Sequence, residues 1–211
     1  MSYVIMPRRQ GVEADILQHY RQVNASTLGH LTTEGYLPGL RPRVEQCHMV
    51  GNVVTVKLFP PDGAILREAL LLSQPGDVLV IDSSADEHCA CWGELRNLAG
   101  LIKQLAGVVV VGAVTDITAL RCQRLPVFSL GISAVTTRSL AERGEINTSL
   151  HVMEGTIHPG DLALGDDDGV FMVNARQAVE LLPQLLLKEQ QDQQKRTLLA
   201  QRLKACCSAR Q

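Results

Sequence analysis

Two aspartates, Asp82 and Asp116, each follow a run of apolar residues that the sequence predicts to be a buried strand. Small ligands of open α/β sheets bind at the carboxyl ends of such strands, and carboxylates there can hold a divalent cation. Gly93 and Glu94 begin a predicted helix, and the free N–H groups of a helix N-terminus can bind a carboxylate. The pattern favours a site for a metal ion and an anion, although loop aspartates also commonly cap helices without any ligand.

Other residues that could carry chemistry have less specific spacing. His88 lies beside the candidate site and could serve as a base, but a single loop histidine is more often solvated. Cys89 and Cys91 could form a metal or redox pair, yet they lack the C-x-x-C spacing of such sites. The three aspartates at 166–168 are more typical of a hairpin turn than of a calcium loop, because the later glutamate is missing.

The hydrophobic pattern predicts the elements that must position these residues. Alternating or β-branched runs predict strands at 50–59, 78–81, 108–111 and 127–130. Helical spacing predicts helices at 12–23, 64–72 and 92–105, the last with its leucines and Ile102 on the apolar side. Strands that alternate with helices on this scale indicate an α/β domain.

The C-terminal part has a different pattern. Residues 149–173 predict short strands separated by turns. A long helix follows, with Asn174 as its predicted N-cap and Gln177 as the reciprocal partner of a capping box. Pro183 is expected to bend this helix or to end its first part.

Composition limits the classes of function. The 211-residue chain carries 20 Lys plus Arg against 22 Asp plus Glu, a formal charge of −2. This near neutrality argues against direct nucleic-acid binding, and 3% aromatic residues leave little surface for base stacking. No apolar run approaches the ~20 residues of a membrane-spanning helix, and residues 1–10 lack the apolar segment of a secretion signal. We therefore expect a cytoplasmic protein with reduced cysteines and no membrane contact.

An ordered series of short motifs resembles one known family. In chain order the motifs are GNVVTV (51–56), PGDVLV (75–80), ACWGEL (90–95), GVVVVGAVTD (107–116), PVF (126–128) and PGDLALGDDDGV (159–170). Over residues 24–175 this order is similar to the family of the regulator of ribonuclease activity A, which also contains the 4-hydroxy-4-methyl-2-oxoglutarate aldolases. Each motif alone is common, and the specificity comes from their order.

The resemblance implies a fold and an assembly. We expect an α/β protein built on a β/β/α swivelling-type sandwich domain, with flanking N- and C-terminal helices, that forms a homotrimer or a higher homo-oligomer. In these terms the chain divides into an N-terminal helical extension at 1–23, the core domain at 24–175, and a C-terminal helix for packing or assembly at 176–211.

The resemblance also implies an active site between subunits, in which a divalent ion and pyruvate bind together. Asp116 matches the metal-binding residue, the expected ion is magnesium or manganese, and no organic cofactor is expected. The residues matched to substrate binding are Gly93, Glu94, Leu95, Arg96 and Thr115. Glu94 would hold metal-bound water, and Glu189 would be an acid donated by a neighbouring subunit, so that Glu94, Asp116 and Glu189 form the catalytic group.

Two residues depart from the family pattern. Thr115 stands where the family has an arginine, and Ala119 stands where it has a second acid. Threonine cannot offer the bidentate fork with which arginine holds a carboxylate. A guanidinium from another position could take its place, and the candidates near the motif are Arg96, Arg121 and Arg138.

Two functions follow from the resemblance. The first is a divalent-metal-dependent lyase that cleaves a 4-hydroxy-2-oxo acid or decarboxylates oxaloacetate, releasing pyruvate. The second is a non-catalytic trimeric regulator that acts through a protein partner. Asp116 and Glu94 favour the enzyme, whereas Thr115 and Ala119 favour the regulator. A methyltransferase is excluded because no glycine-rich loop for S-adenosylmethionine follows a first strand.

Overall fold

The structure is a computed structural model that describes residues 2–208. Its strands are β1 (Ser2–Ile5), β2 (Arg41–Pro42), β3 (His48–Lys57), β4 (Asp77–Asp82), β5 (Gly107–Val114), β6 (Val127–Ile132), β7 (Arg143–Ile146), β8 (Leu150–Val152), β9 (Gly155–Ile157), β10 (Leu162–Asp166) and β11 (Gly169–Val173). Its α-helices are α1 (Ala14–Tyr20), α2 (Ala25–Gly29), α3 (Ile65–Leu72), α4 (Glu94–Ile102), α5 (Ile117–Gln123) and α6 (Ala175–Ser208).

A parallel sheet forms the centre of the molecule. Strands β3, β4, β5 and β6 pair in parallel in that order, and β4 and β5 are buried along their whole length. Such burial on both faces is the reason that these strands are continuous runs of β-branched and apolar residues. The sheet continues through β7 and β1 on one side and β2 on the other, and β10 pairs with β3 and β11. The predicted α/β class is confirmed.

Three apolar clusters show the layers of the fold. The first lies between one face of the central sheet and helices α3–α5. The second lies on the opposite face, where the β8–β9 and β10–β11 hairpins pack against β3–β6. The third lies outside those hairpin strands, under α1, α2 and the first half of α6. This order of layers is the β/β/α sandwich that the resemblance implied, with helices from both ends of the chain flanking it.

The sequence analysis expected a helical extension at the N-terminus, but residues 2–23 contain a strand as well as a helix. Strand β1 pairs in parallel with β7 and so extends the main sheet, and helix α1 begins only at Ala14. The side chain of Arg8, between them, forms an ion pair with the buried carboxylate of Asp77 at the start of β4. The short β1 run gave too weak an alternation to be recognised, and its pairing with β7 is a long-range contact that local pattern does not encode.

Helix α4 turns its apolar stripe outwards. Leu95 is 79% exposed and Ile102 82% exposed, whereas Asn97 and Gly100 are buried. Asn97 belongs inside because its side-chain oxygen accepts a hydrogen bond from the indole N–H of buried Trp92, at 2.9 Å. The leucine stripe therefore remains as an exposed apolar surface of the kind that marks an interface.

The C-terminal elements agree with their predicted types. Asp166 and Asp167 lie at the β10–β11 hairpin turn, where their carboxylates accept the backbone amides of Ala25 (2.7 Å) and Gln46 (3.0 Å). Asn174 caps α6 by accepting the amide of Arg176 at 3.0 Å, as predicted. The prediction that Gln177 completes a capping box with Asn174 is wrong, because the side chain of Gln177 donates to Glu34 instead. Helix α6 continues through Pro183. None of the helices over residues 2–208 is long and apolar enough to cross a bilayer.

Candidate active site

The centre of the site is the contact between Asp116 and the N-terminus of α4. Strand β5 ends at Val114, and the Thr115 amide donates to the carbonyl of Trp92 at 2.8 Å, which fixes the two segments side by side. Asp116 then takes a left-handed conformation, with φ of +55°, at the cap of α5. Its Oδ2 accepts the backbone amide of Glu94 at 2.9 Å. The carboxylate thus caps α4, a neighbouring helix, rather than α5.

The close approach explains why residue 93 is glycine. A Cβ at Gly93 would lie 2.4 Å from Oδ2 of Asp116 and 2.6 Å from Cγ2 of Thr115. Both distances are far shorter than any ordinary van der Waals contact. The backbone of Gly93 is extended (φ −151°), so the glycine is needed for space and not for a special conformation. The structure thus places Gly93, Thr115 and Asp116, three of the predicted site residues, side by side.

A buried side-chain relay holds α4 against α5. The Asn97 side chain accepts from Trp92 and donates from Nδ2 to Oε1 of Gln123 at 2.7 Å. Trp92 and Asn97 are both fully buried. Trp92 and Asn97 flank Gly93 in the sequence, and Gln123 belongs to α5, which begins directly after Asp116. The relay therefore fixes the positions of Gly93 and Asp116 relative to each other. The sequence analysis did not identify Asn97 or Gln123, although a polar residue in the middle of an apolar helix was a usable signal.

The site is open and offers oxygen atoms. Glu94 and Asp116 are exposed, and Thr115 is half-buried. Asp116 Oδ1 accepts no hydrogen bond from any residue in 2–208, so one of its oxygens is available to a ligand. No cluster of three or more His, Cys, Asp or Glu residues suited to a metal occurs in that part of the chain. A hard cation that keeps most of its water ligands fits this donor set, because Mg²⁺ usually binds through one or two carboxylates.

Arg96 is anchored beneath the first turn of α4. Its Nη1 donates to the carbonyl of Cys91 (2.6 Å) and to Oγ1 of Thr137 (3.1 Å), and Nη2 donates to the carbonyl of Gly63 (3.2 Å). Burial lowers the pKa of this guanidinium. It forms no ion pair with any described residue, so its charge is compensated only by these oxygen dipoles. The other two candidates, Arg121 and Arg138, are exposed.

A buried carboxylate that the sequence analysis missed organises the loops around Arg96. Asp62 is 2% exposed, and its two oxygens accept five backbone amides at 2.7 to 3.2 Å. The donors are Ala64 and residues 140–143. Burial opposes ionisation of Asp62, but these amides hold its pKa at about 2. The turn sequence around Asp62 gave a signal for a loop, but four of its five donors are distant in the chain.

The remaining candidates are Asp82, the two cysteines and His88. Asp82 is buried and accepts from the amide and the hydroxyl of Ser84, within its own turn. Cys89 and Cys91 are buried free thiols, and burial raises the pKa of Cys91 to about 12, which disfavours the reactive thiolate. His88 is exposed, and its carbonyl accepts from Ser133 Oγ at 2.5 Å.

Glu189 is not brought to Asp116 within the chain. Its Oε1 accepts from Oγ1 of Thr27 at 2.5 Å and from the amide and side chain of Asn24 at 3.3 Å. Its Oε2 accepts from Arg196 at 3.3 Å. Glu189 therefore caps α2 from α6. Its predicted role as an acid for a neighbouring subunit stays a prediction.

Comparisons with known proteins agree with this architecture. A model of the RraA-like family, described as Aldolase/RraA, matches residues 15–172. The 4-hydroxy-4-methyl-2-oxoglutarate aldolase of Thermus thermophilus is 34% identical over 131 residues, which cover 61% of this chain and 77% of the relative. A relative from Halalkalibacterium halodurans, provisionally named for the same activity, is 32% identical over 156 residues, or 73% of each chain.

Solved structures with the same fold include RraA proteins. Streptomyces coelicolor RraAS2, described as an unusual member of the RNase ES inhibitor RraA family, has a TM-score of 0.78 at 23% identity, over 90% of this chain and 99% of its own. A Thermus RraA, described as an RNA-processing inhibitor, has a TM-score of 0.65 at 28% identity, over 71% of this chain and 92% of its own. Since the family model covers most of the sandwich and its site, this chain belongs to the RraA-like family of aldolases and RraA proteins.

Proposed function

We propose that the protein is a divalent-metal-dependent lyase that releases pyruvate, by aldol cleavage of a 4-hydroxy-2-oxo acid or by decarboxylation of oxaloacetate. The observation that carries this proposal is the free Oδ1 of Asp116 beside the N-terminus of α4. A cation held by Asp116 and an anion held by the helix would lie next to each other there. The aldolase names of two relatives support the same reaction class.

Asp116 is the residue that would hold the ion, Mg²⁺ or Mn²⁺, and exposed Glu94 would accept hydrogen bonds from its water ligands. When bound, the ion would act as a Lewis acid towards the 2-oxo and carboxylate oxygens of the substrate. The chemistry requires no organic cofactor. Six free cysteines, three of them exposed, are consistent with the reducing cytoplasm that the sequence analysis expects.

The first turn of α4 would bind the carboxylate of the substrate. The amide of Glu94 already donates to Asp116, but the amides of Leu95 and Arg96 donate to no acceptor within residues 2–208. Free amides at a helix N-terminus favour an anion by about 0.3–1 kcal/mol when exposed. Gly93 has no side chain to obstruct the approach to these amides.

The guanidinium lost at Thr115 is replaced, in this proposal, by Arg96. Arg96 lies on the first turn of α4, and the oxygens of Cys91, Thr137 and Gly63 hold its guanidinium in place. Its charge therefore strengthens the positive potential at that turn without offering a bidentate fork. We expect weaker substrate binding than an arginine at position 115 would give. Arg121 and Arg138, both exposed, are the alternatives, and measuring pyruvate affinity in Arg96→Ala, Arg121→Ala and Arg138→Ala distinguishes the three.

Glu94 is the proposed acid–base group. It is exposed on the first turn of α4, one residue from Gly93, and could remove the 4-hydroxyl proton directly or through water. Glu189 is the second candidate, contributed by a neighbouring subunit. Replacing each glutamate by glutamine distinguishes the two candidates. Loss of the proton-transfer group, as expected for Glu94→Gln, lowers kcat. Loss of the α2 cap, as expected for Glu189→Gln, lowers stability.

The exposed face of α4 supports assembly into a homotrimer or a higher homo-oligomer. Its apolar side chains face a groove of about 540 Å³ between α3 and α4, which Leu71 (57% exposed) also lines. Burying such a surface is favourable by about 25 cal/mol per Å². Light scattering after chromatography tests the assembly, and Ile102→Lys is expected to dissociate it.

A coupled assay for pyruvate release tests the function. Oxaloacetate and 4-hydroxy-4-methyl-2-oxoglutarate are supplied with Mg²⁺ or Mn²⁺ to the wild type, to Asp116→Asn, and to Asp86→Asn as a matched exposed aspartate. We expect release that depends on the ion, is lost in Asp116→Asn and is kept in Asp86→Asn. No release from the wild type under any condition would reject the lyase and leave the non-catalytic regulator with a protein partner. Release unchanged in Asp116→Asn would reject the site.

A further inference from the structure

A cavity of about 970 Å³ opens on a part of the molecule that contains none of the active-site candidates. Its walls are the segment 33–38 before β2, the segment 153–158 of the β8–β9 hairpin, and the start of α6. Small-molecule sites typically measure about 300–1,000 Å³, so this cavity has the size for an organic ligand.

The charge of the cavity wall is negative. Glu34, Glu154 and Asp161 line it, and neither a lysine nor an arginine does. His158 is the only basic side chain among its lining residues, and its Nδ1 is bonded to Oγ of Ser149 at 2.8 Å. A wall of this composition repels carboxylates and phosphates and attracts a cation.

The cavity differs from an ordinary acidic surface because one of its carboxylates, that of Asp161, belongs to a buried residue. The residue is 5% exposed, and its Oδ2 accepts the backbone amide of His158 at 2.8 Å. No residue in 2–208 donates a hydrogen bond to its second oxygen, Oδ1. Burial raises the pKa of Asp161, although the amide and the charge of His158 act in the opposite direction. Oδ1 therefore remains free to accept a hydrogen bond from a ligand in the cavity, and an ammonium group would donate one.

Part of the remaining wall is apolar and would hold the body of such a ligand. Met153 and Met172 line the cavity with flexible thioether side chains. Tyr36 also lines it, and its ring leans on Phe171 with 5.2 Å between the ring centroids. An aromatic face beside carboxylates is a further favourable contact for an ammonium group.

We propose that this cavity binds a small organic cation, a primary ammonium compound with an apolar body, whose ammonium group contacts Asp161 and whose hydrocarbon packs against Tyr36 and the two methionines. The site is separate from the lyase site and does not depend on the proposed reaction. A divalent metal is not the expected occupant, because no three metal-ligating groups of the described chain come together.

Isothermal titration of the full chain with n-hexylamine, hexan-1-ol and hexanoate tests the proposal, because the three compounds differ in charge but share a hydrocarbon body. We expect hexylamine to bind roughly tenfold more tightly than hexanol, and hexanoate not to bind. Asp161→Asn is expected to remove the preference for the amine. Because Asp161→Asn could also disturb folding, the exposed pair Glu34→Gln/Glu154→Gln provides a second variant, expected to weaken amine binding several-fold. The control is Glu87→Gln, an exposed glutamate outside the cavity.

Trp92 emission and circular dichroism establish that each variant is folded. Equal affinity for the amine and the alcohol would overturn the proposal, as would tighter binding of hexanoate. Amine binding that is unchanged in the Glu34→Gln/Glu154→Gln protein and in a folded Asp161→Asn protein would also overturn it. Absence of binding by all three compounds would have the same consequence.

Discussion

Replacing Asp62 by asparagine tests whether one buried carboxylate holds the loops beside the candidate site. Its two oxygens accept the amide of Ala64 and those of residues 140–143, and the residue is 2% exposed. Asparagine keeps the shape but removes the charge, and it turns a donor group towards amides that need an acceptor. The expected effect is therefore larger than the loss of one neutral hydrogen bond.

The magnitude follows from the pKa of Asp62. In the folded protein the pKa is about 2, against an ordinary value of 3.8. At 1.36 kcal/mol per pKa unit, ionisation of Asp62 stabilises the fold by about 2 kcal/mol at neutral pH. Because the folded pKa lies below the unfolded one, this stabilisation is complete well above pH 4 and is lost as the pH falls towards about 2. At pH 3 about half of it remains.

Urea unfolding followed by the emission of Trp92, the only tryptophan and fully buried, measures the effect. At pH 7 we expect Asp62→Asn to lower the free energy of unfolding by about 2–4 kcal/mol. The difference from the wild type should shrink by about 1 kcal/mol at pH 3, at equal protein concentration. The matched control is Asp86→Asn, an exposed carboxylate that accepts a single amide, from His88, and it should change stability by less than about 0.5 kcal/mol. A loss in Asp62→Asn as small as that of the control, or a difference that does not depend on pH, would refute the reasoning.

Three further substitutions or modifications are expected to have defined effects. Gly93→Ala places a methyl group 2.4 Å from Asp116 Oδ2, so it should cost about 1–3 kcal/mol of stability by urea unfolding and lower pyruvate release; normal stability and release would contradict the close contact. Asn97→Ala leaves the indole of Trp92 and the side chain of Gln123 without their partner, and it should destabilise by about 1–3 kcal/mol and shift Trp92 emission, whereas unaltered emission would speak against the relay. In the native protein, a thiol reagent at pH 8 should modify the exposed cysteines first and the buried ones only after unfolding, and rapid reaction of Cys91 would show that its raised pKa is wrong.

The sequence predicted the central strands well because a strand buried on both faces is a continuous apolar run that can be recognised locally. Strands β4 and β5 are buried throughout, so their runs of β-branched residues could be recognised without any knowledge of their partners. The contact of Gly93 with Asp116 was also accessible, because both residues lie where predicted strands and helices meet. These features are decided within a few residues of the chain.

The features that the sequence did not predict depend on distant partners. Asp62 accepts four amides from residues about 80 positions away, so nothing near it in the sequence distinguishes it from a surface turn aspartate. Glu189 is predicted to be an acid for a neighbouring subunit's site, and nothing in the sequence indicated that it also accepts hydrogen bonds from Asn24 and Thr27, more than 160 positions away in its own chain. Local pattern records which residues are buried or turn-forming, and it does not record which buried groups meet.

Helix α4 combines a feature that the sequence predicted with one that it did not. Its periodicity was recognised correctly, but the periodicity does not tell whether the apolar side faces the core of the same chain, and here it faces outwards. The inner side of the helix is instead taken by Asn97, which satisfies Trp92 and positions the loop that carries Gly93. The same helix therefore orients the candidate site with its polar inner side and offers an apolar surface with its outer side. If a second subunit covers that surface, substitutions on the outer side should weaken assembly and pyruvate release together, because the helix that binds the partner begins at the site.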